Sequence, residues 1–309
     1  MQTFLPYPDF LRSCEVLDSP RLGKQRVETL QILRALELPA YGWANHPAVR
    51  MWRGRTPALV CYGLAAVAAW RQRGHADSTD AQIGEFAPGT TAADQEALGR
   101  AGLLPGWLGD DRLHRSHRSA LVRKDPGFYR PLFGDVPDDL PYHWPDPDPD
   151  PDAGQPAGSG GTAEAGLRRL WVFRPASPTV LGAWVAGGVV GLGPESGLDV
   201  DVTGRHGPDL RPLLAEVNPG RRANRDLRFL GSLLDEVAVG DLVGTPVEGD
   251  TALLVGEVTG DYAFAPASVG GPLHRRPVRW DRRLPRSAVR PPSALQDPRR
   301  LFDVRVDAG

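Results

Sequence analysis

Pro145-Asp146-Pro147-Asp148-Pro149-Asp150-Pro151-Asp152, running on into Ala153-Gly154-Gln155-Pro156-Ala157-Gly158-Ser159-Gly160-Gly161, divides the chain. Proline removes a backbone donor at every second position and the aspartates repel one another, so neither a helix nor a ladder forms there. The reading is a disordered Pro/Asp/Gly linker over 145–166, with one domain before it (1–144) and one after it (167–309). A length of 309 residues accommodates two ordinary domains. The net charge of −2 also divides there. Residues 1–145 carry 17 bases against 16 acids, 146–166 carry 5 acids and no base, and 167–309 carry 19 bases against 17 acids. Bulk charge therefore points to no partner, and any basic signal must be local. Two cysteines, Cys14 and Cys61, exclude a disulfide framework and a cysteine zinc cage. No apolar run approaches the roughly 18 residues of a membrane span, and the N-terminus lacks a signal-peptide pattern. The expected location is the cytoplasm, away from membranes.

The two flanks differ in texture. Before the linker, Ser19 and Pro20 open a helix as N-cap and first residue, running to about Leu36. Thr56-Pro57 open a second, to about Gln72, apolar nearly all round and so central to a bundle. A third covers Asp111 to Arg123, and residues 76–100 say little. After the linker come short valine-rich runs: strands are expected at Leu170–Phe173, Val185–Val190, Asp241–Val243, Ala252–Val258 and Arg276–Trp280. Helical segments are expected at Leu210–Ala215 and Asp226–Asp235. The fold class is thus multidomain, an all-α bundle followed by a β-rich domain with short helices.

Three polar clusters stand out in the first domain. Leu17-Asp18-Ser19-Pro20-Arg21-Leu22-Gly23-Lys24-Gln25-Arg26 sets a carboxylate, Asp18, beside a helix start with Arg21, Lys24 and Arg26 following. That pattern suits a general base or imine chemistry flanked by phosphate contacts. It equally suits a capped helix with a solvated charged face. Glu28 is the other carboxylate on that polar face. Asn45-His46-Pro47 is a second cluster, or a turn with a structural histidine. The third is His114-x-x-His117 among Arg112, Arg115 and Arg118. With His46 as the one nearby further ligand a zinc site is short of donors, so no metal is expected; phosphate contacts and a solvated face stay open.

Met1–Phe10, Leu17–Val27, Asn45-His46-Pro47-Ala48-Val49-Arg50-Met51-Trp52 and Asp125-Pro126-Gly127-Phe128-Tyr129-Arg130-Pro131 resemble, in order, the pyrimidine-dimer DNA glycosylase family, whose best-known member is the phage endonuclease V. The resemblance implies an all-α fold over 1–144. It implies a glycosylase and AP lyase that uses an N-terminal α-amine as nucleophile, forms an imine at the sugar C1′, relies on a helix-borne carboxylate and needs no metal or other cofactor. Carried over, the family glutamate falls on Asp18, its arginine on Arg21, its histidine on His46 and its aromatic segment on Phe128-Tyr129. Asp18 is one methylene shorter than glutamate. Gln2 is bulky and should leave Met1 in place, so the nucleophile is the Met1 amine, Lys24, or absent. An α-amine of pKa about 7.7–8.0 is partly neutral at pH 7.

In the second domain, seven arginines fall between 272 and 290 with one acid, Asp281. Trp280 and Tyr262 interleave with this run, which includes Arg275, Arg276 and Arg279, so it reads as a nucleic-acid patch or as an edge strand with solvated arginines. Gly-Asp-Leu-Val, Gly-Glu-Val-Thr-Gly-Asp-Tyr and His-Arg-Arg-Pro-Val-Arg-Trp, in that order, resemble the PUA/EVE-like domains of Mrr- and McrB-type restriction proteins. That resemblance implies a partly open β-barrel holding a modified or flipped base, with Trp171, Trp184, Tyr262 and Trp280 as pocket and Asp261 or Glu257 reading a base edge.

Together these features point to a DNA glycosylase/AP lyase-like protein acting on damaged or modified bases, with a base-reading barrel, in repair or in restriction of phage DNA. DNA is the expected partner, and no obligate protein partner is implied. The alternative is a non-catalytic modified-DNA-binding protein. A metal nuclease built on His46, His114 and His117 is a third.

Overall fold

A computed structural model describes residues 1–148, 166–206, 209–217, 221–265 and 271–307. The chain forms two compact units, Met1–Gly161 and Thr162–Gly309. Most of the expected linker lies outside the described residues. Its beginning does not behave as a linker: Asp148 accepts from Arg55 Nε at 2.7 Å and from the Gly106 N–H at 2.9 Å.

Among the described residues the first unit is all helical: α1 (Phe10–Glu15), α2 (Ser19–Glu37), α3 (Pro47–Arg50), α4 (Thr56–Gln72), α5 (Asp80–Gly84), α6 (Gln95–Arg100), α7 (Asp111–Lys124) and α8 (Pro126–Phe133). The cap of α2 is Asp18, not Ser19: its carboxylate accepts from the Arg21 N–H, and Pro20 sits in the first turn where no donor is missed. Helix α4 buries Leu59, Val60, Tyr62, Ala66 and Val67 and packs against α1, α2, α5 and α6, as its all-round apolar surface requires. A Cβ at Gly63 would stand 2.7 Å from Thr29 Cγ2, so glycine is what lets α4 approach α2. One continuous core, centred on Trp52, Tyr62, Tyr129 and Phe10, serves the whole unit.

The second unit is a mixed sheet with helices: β1 (Leu167–Phe173), α9 (Pro178–Gly187), β2 (Val189–Leu192), α10 (Leu210–Val217), α11 (Arg221–Asp235), β3 (Leu242–Pro246), β4 (Ala252–Val258), β5 (Ala263–Phe264), β6 (His274–Pro285), β7 (Val289–Arg290) and β8 (Leu301–Asp307). The order is β2-β6-β4-β3-β1-β8-β7, with β5 on β6. β1 pairs parallel to β3 and antiparallel to β8. Its alternate residues enter two cores, Leu170 and Val172 on one face and Trp171 and Phe173 on the other. That double burial explains its unbroken apolar run.

The sheet is open, not a barrel: among the described residues β2 and β7 end the path without pairing to each other. The strand expected at Val185–Val190 is the end of helix α9 followed by β2. Ser177 caps α9 by accepting from the Val180 N–H, Pro178 fits its first turn, and Gly188 closes it at φ +58°.

Candidate functional site

The helical unit holds its N-terminal segment as an extended thread through the bundle. Gln2 N–H donates to Glu28 Oε2 at 3.0 Å and Phe4 N–H to Gln25 Oε1 at 2.8 Å, both acceptors lying on α2. Tyr62 of α4 donates to the Phe4 carbonyl at 2.9 Å, and Trp52 Nε1 donates to Thr3 Oγ1 at 3.0 Å. From α7, His114 Nδ1 donates to the Leu5 carbonyl at 2.8 Å while His117 Nδ1 accepts from the Leu5 N–H at 2.9 Å. A buried extended segment has no ladder of its own, so side chains must satisfy its backbone groups. These do, and they fix the segment's register.

The phosphate contact or solvated face expected of the His114-x-x-His117 pair is thereby corrected. Spacing of three puts both rings on one helix face, but that face looks inward at the Leu5 backbone. His114 Nε2 accepts from the Gly109 N–H at 3.1 Å, and His117 is wholly buried. Burial lowers the pKa of both rings, that of His117 to about 3. With Nδ1 accepting from Leu5, the His117 ring proton lies on Nε2, 3.1 Å from the Gln2 carboxamide.

A cavity of about 620 Å³ opens beside the thread. Met1, Gln2 and Phe4 form one wall, and Pro20, Arg21, Lys24, Gln25 and Glu28 of α2 form another. His46, Lys124, Tyr142 and Trp144 complete it. Pro20, Lys24 and Glu28 recur every four residues, which aligns them along one stripe of α2. The ring of His46 stands edge-on to Trp144 at 6.3 Å, and Tyr142 and Trp144 lie 5.4 Å apart. Burial, and next the charge of the N-terminal ammonium, lower the His46 pKa, while Glu28 opposes them. His46 Nδ1 accepts from the Ala48 N–H at 3.1 Å, leaving Nε2 to carry the proton of the neutral ring. Burial raises the Tyr142 hydroxyl, and Glu28 adds to that shift. The volume suits a drug- or nucleoside-sized group. The walls offer an amine, a carboxylate, aromatic faces and the cations Lys24 and Lys124, with Arg21 beside them paired to Asp18.

Of the expected catalytic residues, Met1, Lys24 and Glu28 meet at this cavity and Asp18 does not. Asp18 caps α2 and pairs with the Arg21 guanidinium, and its N–H donates to the Tyr129 hydroxyl at 3.0 Å. Arg21 and His46 of the expected DNA contacts line the cavity. Arg26 lies elsewhere, paired with the fully buried carboxylate of Asp77 and stacked 4.3 Å over Trp70, so it is a packing residue. Tyr129 is fully buried, and burial raises its hydroxyl to about 12; Phe128 is the exposed member of that pair. Arg115 is exposed on α7, and Arg118 is paired with Asp111 at 3.0 Å. Gln25, Lys124, Tyr142 and Trp144 were missed by sequence reasoning. Lys124 had a signal, being one of two lysines in the chain.

Two of the four aromatic residues expected to form a base pocket in the second unit serve its core instead. Trp171 and Trp184 are core residues, 2% and 0% exposed; Trp171 Nε1 donates to Asp241 and Trp184 packs on Phe173. Tyr262 donates to His274 Nδ1 at 2.9 Å, whose Nε2 donates to the Leu198 carbonyl. A cavity of about 190 Å³ touches Trp184, but Tyr262, Trp280 and Asp261 are not in its wall. The arginine run is mostly neutralised. Arg279 pairs with Glu257, Arg282 with Asp281, Arg283 with Asp250 and Arg290 with Asp307. Arg276 is buried, donating from Nε to the Leu233 carbonyl at 2.8 Å, which corrects its phosphate role. Arg275 is partly exposed on β6, and Asp261 is exposed.

Residues 1–83 match the family model described as pyrimidine dimer DNA glycosylase. That stretch carries Met1, α2 and His46, and the match supports, at family level, a DNA glycosylase-like function on damaged DNA. Lys124, Tyr142 and Trp144 complete the cavity from beyond it. Residues 193–294 match a domain of unknown function (DUF8426), so the likeness to PUA/EVE-like domains finds no support there. No curated protein and no solved structure matches the chain. No helix among the described residues is long and apolar enough to cross a membrane.

Proposed function

We propose that the helical unit is a DNA glycosylase with AP lyase activity, working through an imine on the Met1 amine with Glu28 as its carboxylate. The observation that carries this is the hydrogen bond from Gln2 N–H to Glu28 Oε2, in the wall of the cavity that Met1 also lines. It fixes the carboxylate one peptide unit from the amine. The neutral amine nitrogen attacks C1′ and the base departs with the electron pair of the C1′–N bond. The attacking nitrogen sheds a proton to Glu28, which returns it to O4′ as the C1′–O4′ bond opens and the imine forms. Glu28, ionised again, takes a C2′ proton, and that electron pair expels the 3′ phosphate and nicks the strand. Lys24, Lys124 and Arg21 hold the flanking phosphates, and Tyr142, Trp144 and His46 face the extruded nucleotide, since chemistry at C1′ requires the base out of its stack. Glu28 takes the place that the sequence resemblance gave to Asp18.

The test is borohydride reduction of the protein with an abasic duplex in the presence of EDTA, followed by mass spectrometry of the adduct. A covalent adduct on the N-terminal peptide carrying Met1 is expected. An adduct on Lys24 would move the nucleophile. No adduct, with base release also absent, would leave the non-catalytic DNA-binding alternative. The second unit's reading of a modified base remains a separate proposal. Isolated 167–309 tested on modified and plain duplexes is its measurement, and equal binding to both refutes it.

A further inference from the structure

Trp43 is the most exposed large apolar side chain among the described residues, at 66%. It is also the one non-glycine residue among them with a left-handed backbone, at φ +77°. A bulky residue there costs backbone strain, which persists only where the surroundings impose it and which clusters at functional positions. Glycine would relieve that strain, yet the neighbouring Gly42 lies where an added Cβ would meet nothing within 4 Å. The loop is firmly held. His46 N–H donates to the Trp43 carbonyl at 2.8 Å, and Arg53 Nη2 donates to the Ala44 carbonyl at 3.1 Å. The Trp43 ring stands edge-on to His46, with centroids 5.9 Å apart. Its exposed indole thus stands next to His46, which lines the cavity and in turn meets Trp144.

We propose that Trp43 inserts into duplex DNA and fills the stacking gap left by the nucleotide drawn into the cavity. This rests on the reading of the cavity as a glycosylase site. Extruding a nucleotide opens a gap whose neighbouring bases have lost a stacking partner, and an apolar wedge replaces that partner. The cations Lys24, Lys124 and Arg21 line the cavity that His46, the ring neighbour of Trp43, also lines, so phosphate contacts and the wedge belong to one proposed DNA face. A wedge is needed by duplex and not by single strand, where no gap exists.

The experiment compares full-length wild type, Trp43→Ala, Trp43→Gly and Trp43→Phe by fluorescence anisotropy. The probes are a duplex containing one tetrahydrofuran abasic analogue and the same strand unpaired. Trp43→Ala and Trp43→Gly are expected to bind the duplex about ten- to a hundredfold more weakly and the single strand unchanged, with Trp43→Phe recovering part of the loss. Glycine suits the left-handed backbone, so folding of at least one variant is secured and is checked by circular dichroism. An equal loss on both probes, no loss on either, or a wild type with no preference for the duplex overturns the wedge. The analogue binds without forming an imine. A duplex-selective loss without borohydride trapping therefore refutes the imine reading alone, and trapping without a duplex-selective loss refutes the wedge alone.

Discussion

Gln2 and Glu28 are joined by one hydrogen bond, from the Gln2 backbone N–H to Glu28 Oε2 at 3.0 Å. The bond makes the carboxylate both an anchor for the N-terminal thread and a wall of the cavity. Holding the Gln2 N–H fixes the plane of the Met1–Gln2 peptide and so the place of the Met1 Cα that carries the amine. Part of the cost of positioning the amine is therefore met in folding, before substrate arrives. The same thread is held at Phe4 by Gln25 and at Leu5 by the two α7 histidines.

Glu28→Gln separates the two duties of Glu28. The carboxamide oxygen still accepts from Gln2, so the fold should hold, while the proton acceptor is lost. Strand cleavage at an abasic site is expected to fall about 10²–10⁴-fold with little change in DNA affinity. Asp18→Asn keeps a competent helix cap and is expected to lower cleavage less than about tenfold. Gel kinetics on both variants check the pair; the reverse ranking would return the carboxylate role to Asp18.

His117 ties pH to stability. Its folded pKa is depressed to about 3, below the ordinary value of 6.5, so the unfolded chain binds the proton first. The stability from the neutral ring is whole above pH 6.5 and declines as pH falls towards 3. Each unit within that window costs about 1.4 kcal/mol. His114 and His46 shift in the same direction. Urea titrations at pH 7.0, 6.0 and 5.0 should show the decline while carboxylates stay ionised. His117→Gln should be less stable at pH 7 and show a slope smaller by about one proton; an unchanged slope would show that His117 is not the titrating group.

Helices α2 and α4 were legible because Ser19-Pro20 and Thr56-Pro57 mark their starts and apolar residues continue along both. The cavity was half legible. Lys24, Glu28 and His46 were visible as chemistry on a helix or turn, but Tyr142 and Trp144 sit just before the Pro-Asp repeat, outside any periodic segment or motif that would mark them. The α7 histidines misled because a polar face turned to a buried backbone has the same sequence pattern as one turned to solvent. The arginines of β6 misled for a related reason. Glu257, Asp250 and Asp307, which neutralise Arg279, Arg283 and Arg290, come from other parts of the chain, so local counting finds an excess that the fold removes. Helix α9 was legible in principle from Ser177-Pro178 and Gly188, but its valines outweighed those signals.

Lys124 tests the electrostatic part of the site. Lys124 lines the cavity, and its carbonyl accepts from Arg21. Lys124→Ala should weaken binding to damaged and plain duplex alike and reduce the slope of log affinity against log salt by about 0.9, one phosphate contact. Borohydride trapping at saturating protein should be unchanged. A full slope would show that Lys124 touches no phosphate.

Arg276 and Arg279 lie on the same strand, β6, and should respond in opposite ways to the same substitution. Arg276 is 6% exposed, and its Nε donates to the Leu233 carbonyl in the last turn of α11, with Nη2 reaching the Leu234 carbonyl at 3.4 Å. A cation there meets the negative end of the helix and satisfies carbonyls that have no partner within it. Burial lowers its pKa, as desolvation of a cation must, and Asp261 opposes that shift. Arg276→Ala would leave buried carbonyls unpaired and a void beneath α11. The expected cost is about 1–3 kcal/mol from the lost hydrogen bonds, with a further contribution from the void. Arg279 is exposed and pairs with Glu257 at 3.3 Å, so Arg279→Ala should change stability by less than about 1 kcal/mol. Urea melting of the two variants, followed by near-ultraviolet circular dichroism, checks the ranking. DNA affinity measured below the melting range should be unchanged by Arg276→Ala, since its guanidinium is not available to phosphate. A stable Arg276→Ala protein with weakened DNA binding would restore to β6 the role its sequence suggested.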